Sequence, residues 1–88
     1  MTDKESLLKF PCHFPIKIIG KQTVNFAAEI TEITKKHFPD TIEEYIITQE
    51  SQKGNYLSIT VTVYVLDQET LDALYRELTQ HPDIKMVL

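Results

Sequence analysis

Between Leu57 and Val65 the chain alternates strictly: Leu57, Ile59, Val61, Val63 and Val65 interleave with Ser58, Thr60, Thr62 and Tyr64. Successive side chains of an extended strand point to opposite faces. The run therefore predicts a strand from Tyr56 to Val65 with one greasy face and one hydroxyl-rich face. Whatever packs onto this sheet must cover the valine face. The hydroxylated face is then free for other work.

The remaining elements are read around that strand. Phe14 to Ile19 predicts a first strand, with Pro15 near its start where a missing N–H is tolerated, and Gly20 punctuating its end. Phe26, Ile30 and Ile33 fall on one stripe of a helix running from about Thr23 to His37, with Asn25, Glu29, Glu32 and Lys36 away from it. Glu32 and Lys36 have the spacing of a helical ion pair, and Pro39 stops the helix. Ile42 to Glu50 predicts a second strand whose Glu43-Glu44 suits a sheet edge. After the third strand, Asp67 is a good N-cap for a helix with Glu69 in its first turn. Leu71, Leu74, Tyr75 and Leu78 form its apolar stripe, Pro82 ends it, and Ile84 to Leu88 closes the chain as a strand.

Strand, helix, strand, strand, helix, strand, joined by right-handed crossovers, gives an α+β class protein: a ferredoxin-like βαββαβ sandwich. Its four-stranded antiparallel sheet carries two helices on one face, because each helix has a single apolar stripe. The open face then presents Ser58, Thr60, Thr62 and Tyr64 as an interaction surface. One register question stays open. A two-residue turn at Lys53-Gly54 sends Ile46 inward and puts Tyr45 and Ile47 on the open face, whereas a three-residue turn reverses them.

With 88 residues there is room for one core, expected over residues 10–88 behind a flexible tail at 1–9 that docks through Leu7, Leu8 and Phe10. A domain this small has a thin stability margin, which makes a homodimer a reasonable expectation. The net charge of −4 and the scatter of Lys and Arg argue against nucleic acid as a partner. Lone Cys12 allows no internal disulfide and leaves a structural zinc site without its thiolates. No apolar run is long enough to cross a bilayer and the N-terminus lacks a signal-peptide core, so a cytoplasmic protein without membrane contact is expected.

No catalytic constellation stands out, so the chain is read as non-enzymatic, with neither cofactor nor metal. Cys12 and His13 are neighbours in an extended segment and point to opposite sides, and Pro11 and Pro15 beside them suggest a structural bend. His37 and His81 each close a helix, where capping of terminal carbonyls is the natural role. The carboxylates Glu43-Glu44 and Glu29/Glu32 read as solvated surface. The run Ser51-Gln52-Lys53-Gly54-Asn55 joins two strands rather than opening a helix, which makes it a hairpin turn and not a phosphate loop. Its Lys53 and Asn55 remain exposed polar groups able to touch an anion. The sheet also lacks the basic and aromatic signature of RNA-binding sheets of this topology.

Four blocks of residues carry a resemblance over nearly the whole chain. They are Phe10-Pro11 followed by Lys17 and Gly20; Ser51, Lys53-Gly54-Asn55-Tyr56 and Ser58; Leu74-Tyr75 and Leu78; and the terminal Met86-Val87-Leu88. Together they resemble the YbeD-like family of small bacterial proteins of unknown function. The resemblance implies a fold similar to ACT regulatory domains, which bind small ligands such as amino acids at paired-domain interfaces. Those domains place ligands near a glycine after the first strand, the position of Gly20 here. Lys17, Gly20, Lys53 and Asn55 are accordingly the candidate ligand-binding set. The expected role is a regulatory module that binds a small metabolite or modulates a partner. The alternative is a protein-interaction adaptor using the open face or an edge strand.

Overall fold

A computed structural model describes residues 9–51 and 53–88. Its elements are β1 (Cys12–Lys21), α1 (Phe26–His37), a 3-10 turn (Glu43–Tyr45), β2 (Ile46–Glu50), β3 (Tyr56–Val65), α2 (Gln68–Thr79) and β4 (Ile84–Val87). The strands form one sheet in the order β2-β3-β1-β4, and all its pairings are antiparallel. Each helix thus bridges two strands separated by a third, the expected ferredoxin-like arrangement. The proposed tail lies outside the described residues except for Lys9, while Phe10 packs against the core.

The core forms where the period of the strands meets the period of the helices. Ile59, Val61, Val63 and Val65 of β3 and Ile16 and Ile18 of β1 are fully buried. Phe26 and Ile30 of α1 and Leu71, Leu74 and Leu78 of α2 pack on them. The hydroxylated side of β3 stays uncovered, as its alternation requires. Asp67 caps α2 as expected, accepting from the Thr70 N–H and hydroxyl at 2.8 Å each.

The register is settled by the pairing Ile46↔Val61 and Ile47↔Thr60. Opposite residues share a face, so Ile46 and Thr48 point to the helices while Tyr45 and Ile47 join the open side. This is the register of the shorter turn. The hairpin itself closes through Gly54 N–H donating to the Ser51 carbonyl at 3.0 Å, with Gly54 at φ +72°, a conformation glycine adopts without penalty.

Several boundaries differ from expectation. β1 runs from Cys12 to Lys21 rather than from Phe14 to Ile19, and Cys12-His13 is paired strand, opposite Val65 and Tyr64, not a bend. Pro15 is tolerated mid-strand because β4 does not extend that far. Lys17 and Leu88 exchange backbone bonds of 3.2 and 2.7 Å, and the Pro15 nitrogen, two residues earlier, points to the same side beyond the end of β4. Gly20 does not end β1 but lies at a register shift between β1 and β4, where an irregular ladder suits a residue without a side chain. α1 begins at Phe26, three residues late, after a turn in which the Phe26 N–H bonds the Thr23 carbonyl at 3.3 Å. The expected strand from Ile42 starts only at Ile46. Before it the chain climbs from α1 to the sheet edge through buried Thr41 and the 3-10 turn.

Candidate functional site

Three surfaces offer themselves, and the fold builds each differently. The first is the open sheet face. Ser58, Thr60, Thr62 and Tyr64 line it along β3, and Tyr45 and Ile47 extend it toward the β2 edge. On the other side Ile19 pairs with Met86 and Lys17 with Leu88, which places those apolar ends on the same face. The result is far more apolar than a ladder of hydroxyls: Ile47 is 63% exposed, Met86 50% and Leu88 60%. At one end His13 sits over Tyr64, ring centroids 4.8 Å apart, with Tyr45 at 6.3 Å. His13 thus faces the open side while Cys12 packs against the core, as adjacent strand residues must.

The second surface joins the helices. His37 and Glu77 are 2.7 Å apart (Nε2 to Oε1), and His81 and Glu29 are 2.8 Å apart in the same sense. Each histidine at the end of one helix reaches a carboxylate on the other, so these side chains cross-link α1 and α2 instead of capping terminal carbonyls. Lys36 likewise turns to Glu77 at 3.3 Å rather than to Glu32. Glu29, His81 and Asp83 bring donor atoms within 4.8 Å of one another. Both nitrogens of His81 are nevertheless spoken for: Nδ1 accepts the Asp83 N–H at 3.1 Å, which leaves Nε2 to donate to Glu29. Hydrogen bonding from His37, and then the nearby Lys36, hold the Glu77 carboxyl below its ordinary value of 4.5.

A lowered native pKa fixes the sign of the pH effect. Glu77 contributes stability that is complete above its unfolded-state value and is lost as pH falls through the lowered one. The melting temperature should therefore drop as pH is taken below about 4.5. In Glu77→Gln that acid-limb drop should be shallower, which thermal melts followed by circular dichroism from pH 7 to pH 3 would show. Equal slopes would mean that the helix cross-link carries no net stability.

The third surface is a cleft of about 270 Å³ at the end of the sheet where β1 starts and β3 finishes. Tyr45, Tyr64 and His13 form its sheet side, and Phe38, Thr41 and Leu66 its loop side. This is the end opposite the β2–β3 hairpin and Gly20.

The predicted ligand set does not converge. Lys17 lies in a shallow depression of the open face with Ile19, Tyr56 and Ser58. Lys53 and Asn55 are exposed at the hairpin, where the Asn55 carbonyl accepts the Gln22 N–H at 3.2 Å. Gly20 is buried and lines neither the cleft nor the depression: the space of its missing side chain is filled, with a Cβ there falling 2.3 Å from the Phe26 ring and 2.6 Å from the Asp83 carbonyl. The cleft residues Phe38, Asp40, Thr41 and Leu66 were not singled out by sequence. Phe38-Pro39-Asp40 reads only as a helix stop, and nothing local says that it will meet the end of β3.

A family described as "Protein of unknown function (DUF493)" matches residues 5–88. A UPF0250 protein of Neisseria gonorrhoeae is 45% identical over 91 residues, covering 100% of each chain. One of Chromobacterium violaceum is 42% identical, covering 98% of this chain and 97% of that protein. The chain belongs to the DUF493 (UPF0250) family. That is the YbeD-like family its sequence blocks resemble. Among solved structures, this DUF493 chain is similar to the crystal structure of the ACT domain from GTP pyrophosphokinase of Chlorobium tepidum. The TM-score is 0.69 at 20% identity, covering 86% of this chain and 94% of that one. It is also similar to the solution structure of protein HP0495 from H. pylori, with TM-score 0.68 at 12% identity over 92% of this chain and 85% of that one. Identities this low show the ACT-like fold alone. Among the described residues of this DUF493 protein, no helix is long and apolar enough to cross a membrane.

Proposed function

We propose that this DUF493 protein is a non-enzymatic, cytoplasmic regulatory module that senses a small metabolite and pairs with a second copy of itself through the open sheet face. One observation carries the reading: the face that the helices leave uncovered holds Tyr45, Ile47, Tyr64, Met86 and Leu88 in exposed positions. Exposed apolar residues gathered on one face of a small domain, here at both edges of the sheet with Thr60 and Lys17 between them, mark an interaction surface. A twofold pairing lets one face serve both partners, each apolar residue meeting the same surface turned around. The ACT-like fold supports a regulatory role by analogy, as the ACT domain of the Chlorobium enzyme is one part of a GTP pyrophosphokinase.

Sedimentation velocity at tens of micromolar should show a dimer. Ile47→Lys combined with Met86→Lys should leave the circular dichroism unchanged, since both side chains are exposed. The double variant should weaken the dimer by about tenfold or more, because desolvated like charges meet across the interface. A clean monomer of the parent chain would end the pairing proposal. A metabolite panel that includes amino acids should raise the melting temperature for at least one compound, and a flat response would end the sensing half.

A second reading, an adaptor for another protein, has one feature in its favour. Among the described residues β2 pairs only with β3, which leaves its outer backbone edge open to an added strand. Capture of one defined partner from lysate without added ligand, by a chain that stays monomeric alone, would favour it.

A further inference from the structure

We infer that the cleft between the α1–β2 loop and the end of β3 binds a compact aromatic amine, one ring bearing a protonated amine and no anionic group. The inference names a ligand class for the metabolite-sensing half of the reading above and rests on it; Tyr45 and Tyr64 belong to both the cleft and the pairing face, so the two share a wall.

Size comes first. The cleft holds about 270 Å³, well above the ~150 Å³ that accommodates benzene in an engineered protein cavity and just under the ~300 Å³ where drug-sized sites begin. One ring and a short arm fit those bounds. The walls suit a ring, with Tyr45 and Tyr64 on the sheet side and Phe38 and Leu66 opposite. Leu66 is 66% exposed, apolar area that a ring would cover.

Charge decides the rest. The described residues that line the cleft include the carboxylates of Asp40 and Asp67 and the imidazoles of His13 and His37, with no Lys or Arg among them. Above the ordinary imidazole range, a phosphate or carboxylate would enter without a side-chain countercharge. The α2 N-terminus also opens here and would otherwise attract an anion. Asp67 already occupies that role: its bonds from the Thr70 N–H and hydroxyl neutralise the positive helix end and hold the carboxyl below its ordinary value. The α1 C-terminus meets the cleft at His37 and Phe38, and the negative end of that helix favours a cation. His37, the imidazole beside it, is bonded to Glu77 on the far side. Tyrosine faces add a further attraction for an ammonium group.

Thr41 gives the cleft a specific polar anchor. It lines the wall, is 6% exposed, and its hydroxyl is buried without a hydrogen-bond partner. A buried unmatched hydroxyl is unfavourable, and rotation of the Thr41 side chain toward the cleft would let a ligand N–H satisfy it.

The test uses the ¹⁵N-labelled full chain at about pH 8, above the ordinary imidazole range. It is titrated with 2-phenylethylamine, with phenylalanine, which adds a carboxylate, and with phenyl phosphate. Phenylethylamine should shift the amides of Thr41, Tyr45, Tyr64 and Leu66, and bind about tenfold or more tightly than phenylalanine. Phenyl phosphate should leave those amides in place. Asp40→Asn and the shape-conserving Thr41→Val should each weaken phenylethylamine about fivefold. Shifts elsewhere, no shifts, phenyl phosphate binding as well as the amine, or indifference to both substitutions would each overturn the inference. Failure here alongside stabilisation by some other metabolite discards the ligand class and leaves sensing intact. A flat response to every compound discards both.

Discussion

Gly20→Ala should destabilise the protein by about 3 kcal/mol, at the upper end of the usual cost of overpacking a well-filled core. For a domain of 88 residues that corresponds to a fall in melting temperature of roughly 12–24 °C. The new methyl carbon would stand 2.3 Å from the Phe26 ring and 2.6 Å from the Asp83 carbonyl oxygen, and real contacts do not close to such distances. The ring is itself fully buried and the second obstacle is backbone, so neither can swing aside cheaply. Phe26→Leu shortens the offending side chain, so in the double variant the two losses should sum to less than their separate totals by about 1 kcal/mol. Recovery stays partial because the Asp83 carbonyl is untouched. Urea denaturation of the four proteins measures the cycle. A Gly20→Ala protein as stable as the parent would show that the core is looser than its packing indicates.

That glycine shows where sequence reading stopped. A glycine near the end of the first strand fits two physical accounts, backbone room for a ligand and backbone room for a neighbouring side chain. Sequence alone does not separate them, because the neighbour is Phe26, brought over by the β1–α1 connection and not by local spacing. Features that depend on one element were legible. The bounds of β3, the Asp67 cap, the stripe of α2 and the layer order follow from periodicity and capping chemistry within single segments. Features that depend on two elements were not. His37 and His81 look like helix caps until the helices are laid side by side, and then the carboxylate of the opposite helix is the better partner. The cleft joins a loop after α1 to the end of β3. It has no signature beyond a phenylalanine, a proline and an aspartate that each have a local explanation. The register of β2 hung on the turn, and the answer turned the open face from a hydroxyl ladder into an apolar surface.

The alternation of β3 can be tested at two adjacent residues. Ile59 is fully buried beneath the helices, and Ile59→Asp would place a carboxylate inside the hydrophobic cluster. The desolvation penalty of an unpaired buried charge is several kcal/mol, comparable with the ~5–15 kcal/mol that holds a small domain together. The variant should lose its cooperative thermal transition at neutral pH. Thr60, one residue on, faces the open side opposite Lys17 on β1. In Thr60→Asp the new carboxylate would meet that lysine across the strands, an opposite-charge pairing that offsets part of the lower strand propensity of aspartate. A loss of about 1 kcal/mol or less is expected, with the fold retained. Lowering the pH protonates a buried carboxyl and should restore part of the structure of Ile59→Asp, a recovery that a merely misfolded chain would not show. Far-UV circular dichroism of both variants between pH 7 and pH 4 decides the matter. A folded Ile59→Asp beside an unfolded Thr60→Asp would reverse the two faces of the sheet, and the exposed apolar surface and the cleft beside it would then belong to the wrong side of the molecule.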